Sequence, residues 1–566
     1  MNTTITSPLD DLVAQLRVGS TIWAATALAD RAALLRRTHT AVAGQAEAWA
    51  TTAVRIKQLP EVSPLAGEEW SAGPYATLWG LAAAAETLER LVSGGRPLDG
   101  IHLGDAPGKR VTVPALPRTL QDRVAFSGMR VDVWMTPGLG EQTVRARAGL
   151  AALDPTRPGG VGLVLGAGNI TSITPLDVLY ELVAHNRVVL LKVNPILDEL
   201  TPVLRKALAP LIDHGVLRIV TGSGDVGNYL AHHAGIDHVH VTGSVATHDA
   251  IVYGTGQEGL DRRRNDRPLL DKPISSELGG VSPVIVVPGV WSKADLRYQA
   301  EHVVTQRIHN SGHNCIAGQV LVLSRDWPQR EAFLSEIRRV LTEAPARVPW
   351  YPGAAARLTD LARETDAERF GPNGDRLLID LDGGDPAGFG RSEAFATALG
   401  VRTLPGTGAE FIKNAVAHAN DELTGTLGAS ILIHPKTERA LRQSLSELIE
   451  PLRYGNIAIN AWTLLGFAVP HASWGAYPGH PRSDVQSGRG IVHNAYLLDG
   501  VERTVSRGPF RPFPRSVVNG EWSLSPMPVW FVTSRTGALT GRRLAAYGAK
   551  PTWARLMAVA LASMRA

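Results

Sequence analysis

The period of apolar and polar positions changes along the chain. Residues 8–95 alternate Ala/Leu-rich runs with polar breaks, as in Asp30-Arg31-Ala32-Ala33-Leu34-Leu35-Arg36-Arg37, and the pattern predicts packed helices. Residues 96–158 are rich in Gly and Pro. Within them Met129-Arg130-Val131-Asp132-Val133-Trp134-Met135 alternates with period two, which suits a hairpin arm near 125–140 used between subunits. From Gly160 onward, short apolar runs at 161–165, 188–193, 216–220 and 238–242 predict strands. Helix-length segments separate them, opened by Thr174-Pro175 and Thr201-Pro202, the second stopped by Gly215. Strands alternating with helices in this way predict an α/β fold with a doubly wound parallel sheet, whose ligand lies at the carboxyl ends of the strands.

The second half predicts another α/β unit. A polar insertion at 257–272 precedes a strand at 284–287. Helices are expected at 292–309, 329–344, 410–420 and 436–450, strands at 428–433 and 456–460, and loops over 345–390. No internal repeat is evident.

Length and composition narrow the class. A chain of 566 residues exceeds what one hydrophobic core organises, so at least two domains are expected. An apolar share of 44% and a charged share of 19% describe an ordinary globular chain. A single cysteine excludes an intramolecular disulfide framework, and with no leader pattern at Met1–Thr6 the expected compartment is the cytoplasm. No run of about 18 apolar residues predicts a spanning helix. The net charge of +4 conceals +8 in residues 502–566, which leaves −4 for the rest. Those basic residues are dispersed and carry no nucleic-acid motif, so nucleic acid is not an expected partner.

The candidate chemistry centres on that cysteine. Cys315 sits in His309-Asn310-Ser311-Gly312-His313-Asn314-Cys315-Ile316-Ala317-Gly318, between a polar helix end and the apolar strand 319–323, where a loop can present a thiol into a cleft. Gly222-x-Gly224-x-x-Gly227 follows a strand and opens a helix, as a dinucleotide-binding turn does. His309 and His313 near a lone thiol lack a second ligand cluster, so no metal site is expected.

Taken together these motifs resemble the aldehyde dehydrogenase superfamily. Glu277-Leu278-Gly279-Gly280-Val281-Ser282-Pro283 is similar to its glutamate signature, and Asn310-x-Gly312-x-x-Cys315-x-Ala317 to its cysteine signature. Gly168-Asn169 resembles the end of its first Rossmann strand, Lys192 its cofactor lysine, and Thr242-Gly243-Ser244 its phosphate-side turn. Glu393-Ala394-Phe395 resembles its Glu-x-Phe element, and 420–429 and 455–460 its closing strands. The resemblance runs from about 20 to 480.

It implies a Rossmann-type cofactor domain at 1–280, an α/β catalytic domain at 281–479, and a basic, aromatic C-terminal extension at 480–566. It further implies oxidation of an aldehyde, expected to be hydrophobic, to a carboxylic acid with NAD or NADP. Cys315 is then the nucleophile, Asn169 and the Cys315 N–H the oxyanion donors, and Glu277 the base that activates water. Lys192, Gly222, Gly224, Gly227, Gly243, Ser244 and Glu393 are the expected cofactor contacts.

Two alternatives remain open: an acyl-thioester reductase, against which Glu277 speaks, and a non-catalytic scaffold that kept the fold. Three positions depart from the family pattern. Gly168 replaces a usual tryptophan, which implies a wider substrate channel. His313 replaces a glutamine, and Pro195 stands where NAD-preferring members carry a glutamate, so a 2′-phosphate is not repelled. A homodimer or homotetramer is expected. The extension is expected to pack on the enzyme body or on a partner subunit; membrane contact through its apolar end, 552–561, is not expected.

Overall fold

The computed structural model describes residues 3–60 and 62–565; Met1 and Asn2, in the stretch read above for a leader pattern, lie outside the described residues. Two long helices, Thr3–Ala25 and Leu28–Ile56, open the chain, and Ala76–Val92 packs on the second. Strands β1 (Gly104–Ala106), β2 (Arg110–Leu116) and β3 (Arg130–Met135) come next as an antiparallel meander. The βα alternation then gives β4 (Val161–Leu165), β5 (Val188–Lys192), β6 (Leu217–Val220), β7 (His238–Gly243) and β8 (Ile274–Leu278). Beyond it come β9 (Ser282–Val286), β10 (Gly318–Ser324), β11 (Glu368–Phe370), β12 (Arg376–Asp380), β13 (Ala398–Leu404), β14 (Gly428–Leu432) and β15 (Asn456–Ile459). The short β16 (Ser473–Trp474), β17 (Gly488–Arg489) and β18 (Val492–His493) precede β19 (Val501–Arg507).

These strands form two main sheets. The six-stranded sheet runs β17-β8-β7-β4-β5-β6 and is parallel except for β17. Every residue of β4 and β5 is buried, as expected of parallel strands covered on both faces. The eleven-stranded sheet runs β1-β2-β3-β19-β15-β14-β9-β10-β13-β12-β11. The chain crosses from one sheet to the other at Gly279-Gly280-Val281, between β8 and β9.

The segment at 129–135 forms β3, which pairs with the chain's own β2 and β19, and β19 continues onto β15. Two expectations need revision. Residues 480–566 are not one appendage, because β17 completes the six-stranded sheet and β19 lies inside the eleven-stranded one; only the chain beyond Arg507 lies outside the sheets. Residues 345–390 hold the helix Ala354–Glu364 and strands β11 and β12, a unit whose polar faces hid its period.

The last segment packs on the body. Phe531 is buried and stacks on Tyr298 and His302 at 5.2 and 5.4 Å. The helix Gly537–Ala549 crosses Gly67–Trp70 at a glycine contact so close that a Cβ on Gly541 would come within 2.7 Å of the Gly67 carbonyl. Among the described residues no single helix is long and apolar enough to cross a membrane.

Candidate active site

A cavity of about 1190 Å³ opens at the carboxyl ends of β4, β5, β7 and β8, where a doubly wound sheet places its ligand. Its floor is Leu165 to Asn169, Lys192 and Asn194; Val241 to Ser244 and Glu277 complete the sheet side. Cys315, Tyr351, Arg357, Glu393 and Phe395 close it from the other unit. Of the ten residues expected from the sequence, nine line this one space. Gly222 does not: its φ of +135° makes the turn after β6, and a side chain there would press on Val226.

Cys315 is presented by a strained turn. Asn310, Ser311 and Gly312 have φ of +53°, +56° and +76°, three successive left-handed residues, of which only glycine adopts that conformation freely. Surrounding groups hold the turn in place. Glu68 accepts the Asn310 N–H at 3.1 Å, and the Asn310 side chain donates to the carbonyls of Asn169 and His313 at 3.2 and 3.1 Å. Arg307 donates to the Gly312 carbonyl at 2.8 Å, and Ser311 to that of Val348 at 2.9 Å. The Trp462 indole donates to the Ile316 carbonyl at 3.1 Å.

His313 is buried and neutral: burial brings its pKa down to about 3, and its Nδ1–H donates to the Phe395 carbonyl at 2.8 Å. It thereby ties the cysteine loop to the segment carrying Glu393. The sequence marked His313 as a departure from a motif and as a residue near the thiol, not as a tie between these two segments.

Asn169, buried, donates one amide N–H through Nδ2 to the His313 carbonyl at 2.9 Å, and it lines the same cavity as Cys315. A Cβ on Gly168 would meet the Asn194 amide at 2.8 Å, so the glycine makes room for Asn194 on the cavity wall. Lys192 ends β5, and burial lowers its pKa although it lines the cavity. Ser244 caps the helix Val245–Tyr253 by accepting the Thr247 N–H, so this helix turns its N-terminus to the cavity.

Burial, together with the carboxylates of Glu393 and Glu277, raises the proton affinity of the Cys315 thiol, against which the backbone N–H groups of Cys315 and Ile316 act. Glu277 is buried and its Oε1 has no hydrogen-bond partner; burial and the neighbouring Asp177 hold its carboxyl well above the usual carboxylate range. The two glycines after it have separate tasks. Gly279 leaves the space that Glu393 occupies, and Gly280 lets Gly425 approach, its own Cβ position lying 2.8 Å from the Gly425 Cα.

A polar cluster behind Glu277 is invisible in the sequence. Asp177, His240 and Glu277 bring donor atoms within 4.8 Å of one another, and all three are buried. They lie on two strands and a helix, and nothing in their spacing along the chain announces the contact.

Comparison with known proteins agrees with this geometry. Residues 134–350 match the model of the aldehyde dehydrogenase family. An N-succinylglutamate 5-semialdehyde dehydrogenase of Sphingopyxis alaskensis is 28% identical over 203 residues, 35% of this chain and 38% of that protein. Betaine aldehyde dehydrogenase 2 of Rhizobium meliloti is 33% identical over 145 residues, 25% of this chain and 26% of the relative. The chain thus spans well under half the length of these curated relatives. The match in fold is broader. The aldehyde dehydrogenase KauB of Pseudomonas aeruginosa superposes with a TM-score of 0.58 over 89% of both chains at 17% identity. The NADP-dependent glyceraldehyde-3-phosphate dehydrogenase of Bacillus halodurans gives 0.58 over 88% of this chain and 91% of its own at 18%. Cys315, Glu277 and Asn169 thus line one cavity in a chain whose residues 134–350 match the aldehyde dehydrogenase family and whose fold is that of solved aldehyde dehydrogenases.

Proposed function

We propose that this protein oxidises an aldehyde to a carboxylic acid with NAD or NADP through a cysteine-bound acyl intermediate. The observation that supports it best is the convergence of a thiol, a side-chain amide and a carboxyl with one unpartnered oxygen on a single cavity of about 1190 Å³. Its sheet side suits a dinucleotide. The N-terminus of Val245–Tyr253, with Ser244, suits a pyrophosphate, and Lys192 and Glu393 stand at positions suited to ribose hydroxyls. Pro195 offers no carboxylate against a 2′-phosphate, so the reading admits both dinucleotides. When bound, the nicotinamide supplies the hydride acceptor.

The chain's own groups perform the remaining steps. Cys315 attacks the aldehyde carbon, and the Asn169 amide with the Cys315 N–H supports the oxygen that gains charge. After oxidation Glu277 takes a proton from water, which attacks the thioester and expels the Cys315 sulfur. A half-buried thiol of raised proton affinity is a poor nucleophile at rest, so attack requires loss of its proton as the site fills. Cys315 packs against an apolar cluster that includes Ile316, Trp462 and Phe467, which favours a hydrophobic aldehyde. The base argues against an acyl-thioester reductase, which must spare its thioester.

The test is a screen of straight-chain and aromatic aldehydes with each dinucleotide, following absorbance of the reduced cofactor and the mass of the intact enzyme. Reduced cofactor together with an acyl adduct on Cys315 is the expected result. Turnover without any adduct on Cys315 would refute the route.

A further inference from the structure

The face of the six-stranded sheet beneath the helix Ile173–Ala184 carries a row of polar side chains. Alternation along β7 sends His238, His240 and Thr242 to the same face. Register then sets His240 beside Ser275 and Thr242 beside Glu277 on β8. The helix above contributes Asp177 and, one turn on, Glu181.

The outer carboxyl is charge-paired, since Glu181 meets Arg187 at 3.0 Å and lies 3.5 Å from His238. The inner group is not so balanced. His240 Nδ1 lies 2.9 Å from the Ser275 hydroxyl, and its Nε2 lies 3.5 Å from Asp177 Oδ2 and 3.3 Å from the Thr242 hydroxyl, which itself donates to Asp177 at 3.1 Å. Asp177 Oδ1 and Glu277 Oε1 are buried without partners. Two carboxyls and one imidazole therefore share a buried space, where two bare carboxylates side by side oppose each other's ionisation.

From these contacts we infer that His240 is a positioning residue: as an imidazolium held between Ser275 and Asp177, it supplies the counter-charge that lets Glu277 ionise and act as base. The proposal rests on the function proposed above. The other groups around Glu277 do not supply such a charge. Asp177 opposes its ionisation, the Trp474 indole assists as a neutral donor, and the flanking Cys315 and Glu393 bring no positive charge. Burial works against a charged His240, yet Asp177, then Glu277 and Glu181, push its pKa up to about 9, so it stays protonated across neutral pH.

The decisive experiment follows hydrolysis of the acyl-enzyme against pH in wild type, His240→Gln and Asp177→Asn, with the pre-steady-state burst of reduced cofactor as a separate readout. His240→Gln leaves Glu277 facing Asp177 alone, so the midpoint of hydrolysis rises by about 1–3 pH units while the burst amplitude is kept. Asp177→Asn removes the charge that opposes Glu277 together with the one that keeps His240 protonated, so its midpoint moves less than that of His240→Gln. A raised midpoint in His240→Gln with the smaller shift in Asp177→Asn supports the proposal. An unchanged or lowered midpoint in His240→Gln, or a larger shift in Asp177→Asn, overturns it, as does a stoichiometric divalent cation retained by wild type and lost in either variant. If His240→Gln does not fold, His240→Asn is measured in its place, a raised midpoint supporting the inference and an unchanged one defeating it. A wild type that forms no acyl-enzyme would defeat the function proposed above, whereas a normal acyl-enzyme with unmoved midpoints would defeat only this inference.

Discussion

The carboxyl of Glu393 occupies the volume that a side chain at Gly279 would need: a Cβ on that glycine would stand 2.0 Å from Glu393 Oε1. The contact joins the segment after Glu277 to the second unit across the cavity. Gly279→Ala should therefore displace Glu393, weaken dinucleotide binding and lower kcat/KM by on the order of 10²-fold, as misplacement by about an ångström does. Fluorescence titration with each dinucleotide checks the binding. An unchanged Kd and rate would remove Glu393 from the cofactor site.

Glu393 also predicts a pH effect on stability. Burial, opposed by Arg307 and Arg357, raises its pKa from 4.5 to about 8. The folded state then holds a proton that the unfolded chain has released between those values. The resulting stabilisation is complete below about pH 4.5 and is lost as pH rises through about 8. Glu393→Gln, which cannot ionise, should flatten the fall of Tm over that window. Parallel wild-type and variant curves in calorimetry would count against it.

Cys315→Ala should abolish turnover and leave dinucleotide affinity within about twofold, because the thiol forms the covalent bond but is not among the groups assigned to the cofactor. Isothermal titration and a steady-state assay measure the two properties separately. Substantial residual turnover would contradict the assignment.

Glu277→Gln should divide the reaction in two. One equivalent of reduced cofactor forms in a burst, and hydrolysis then slows by about 10²–10⁴-fold, the range for loss of a general base. Intact mass should show the acyl-enzyme persisting. Loss of the burst with no adduct would mean that Glu277 acts before hydrolysis.

The C-terminal segment yields a prediction in two parts. Truncation after residue 479 removes β17 and β19 and should leave no soluble folded protein, because β19 lies between β3 and β15. Gly541→Val keeps every strand but forces the helix Gly537–Ala549 off Gly67, at a cost of about 1–3 kcal/mol for overpacking. Activity should fall as well, since the helix Gly67–Trp70 carries Glu68, which holds the Asn310 N–H, and Glu69, paired with Lys57 at 2.8 Å. Calorimetry and kcat measured together test this. A wild-type Tm with wild-type kcat would show that the contact is incidental.

The sequence by itself determined the βα alternation of residues 160–286, the Gly279-Gly280 crossover and the loop around the only cysteine. These depend on local period, turn chemistry and short motifs, which neighbouring residues specify together. Even the role of each glycine was hidden, because Gly168, Gly279 and Gly280 are small to admit Asn194, Glu393 and Gly425 from distant segments. Only the tertiary structure decided that β19 enters the large sheet and that Glu68 braces Asn310. It alone placed Asp177 over His240 and Glu277. Those contacts join residues far apart in the chain, and they form because strand register and helix packing bury one particular face. A charge that pattern analysis reads as a solvated helix position becomes, once that face is buried, part of the active site.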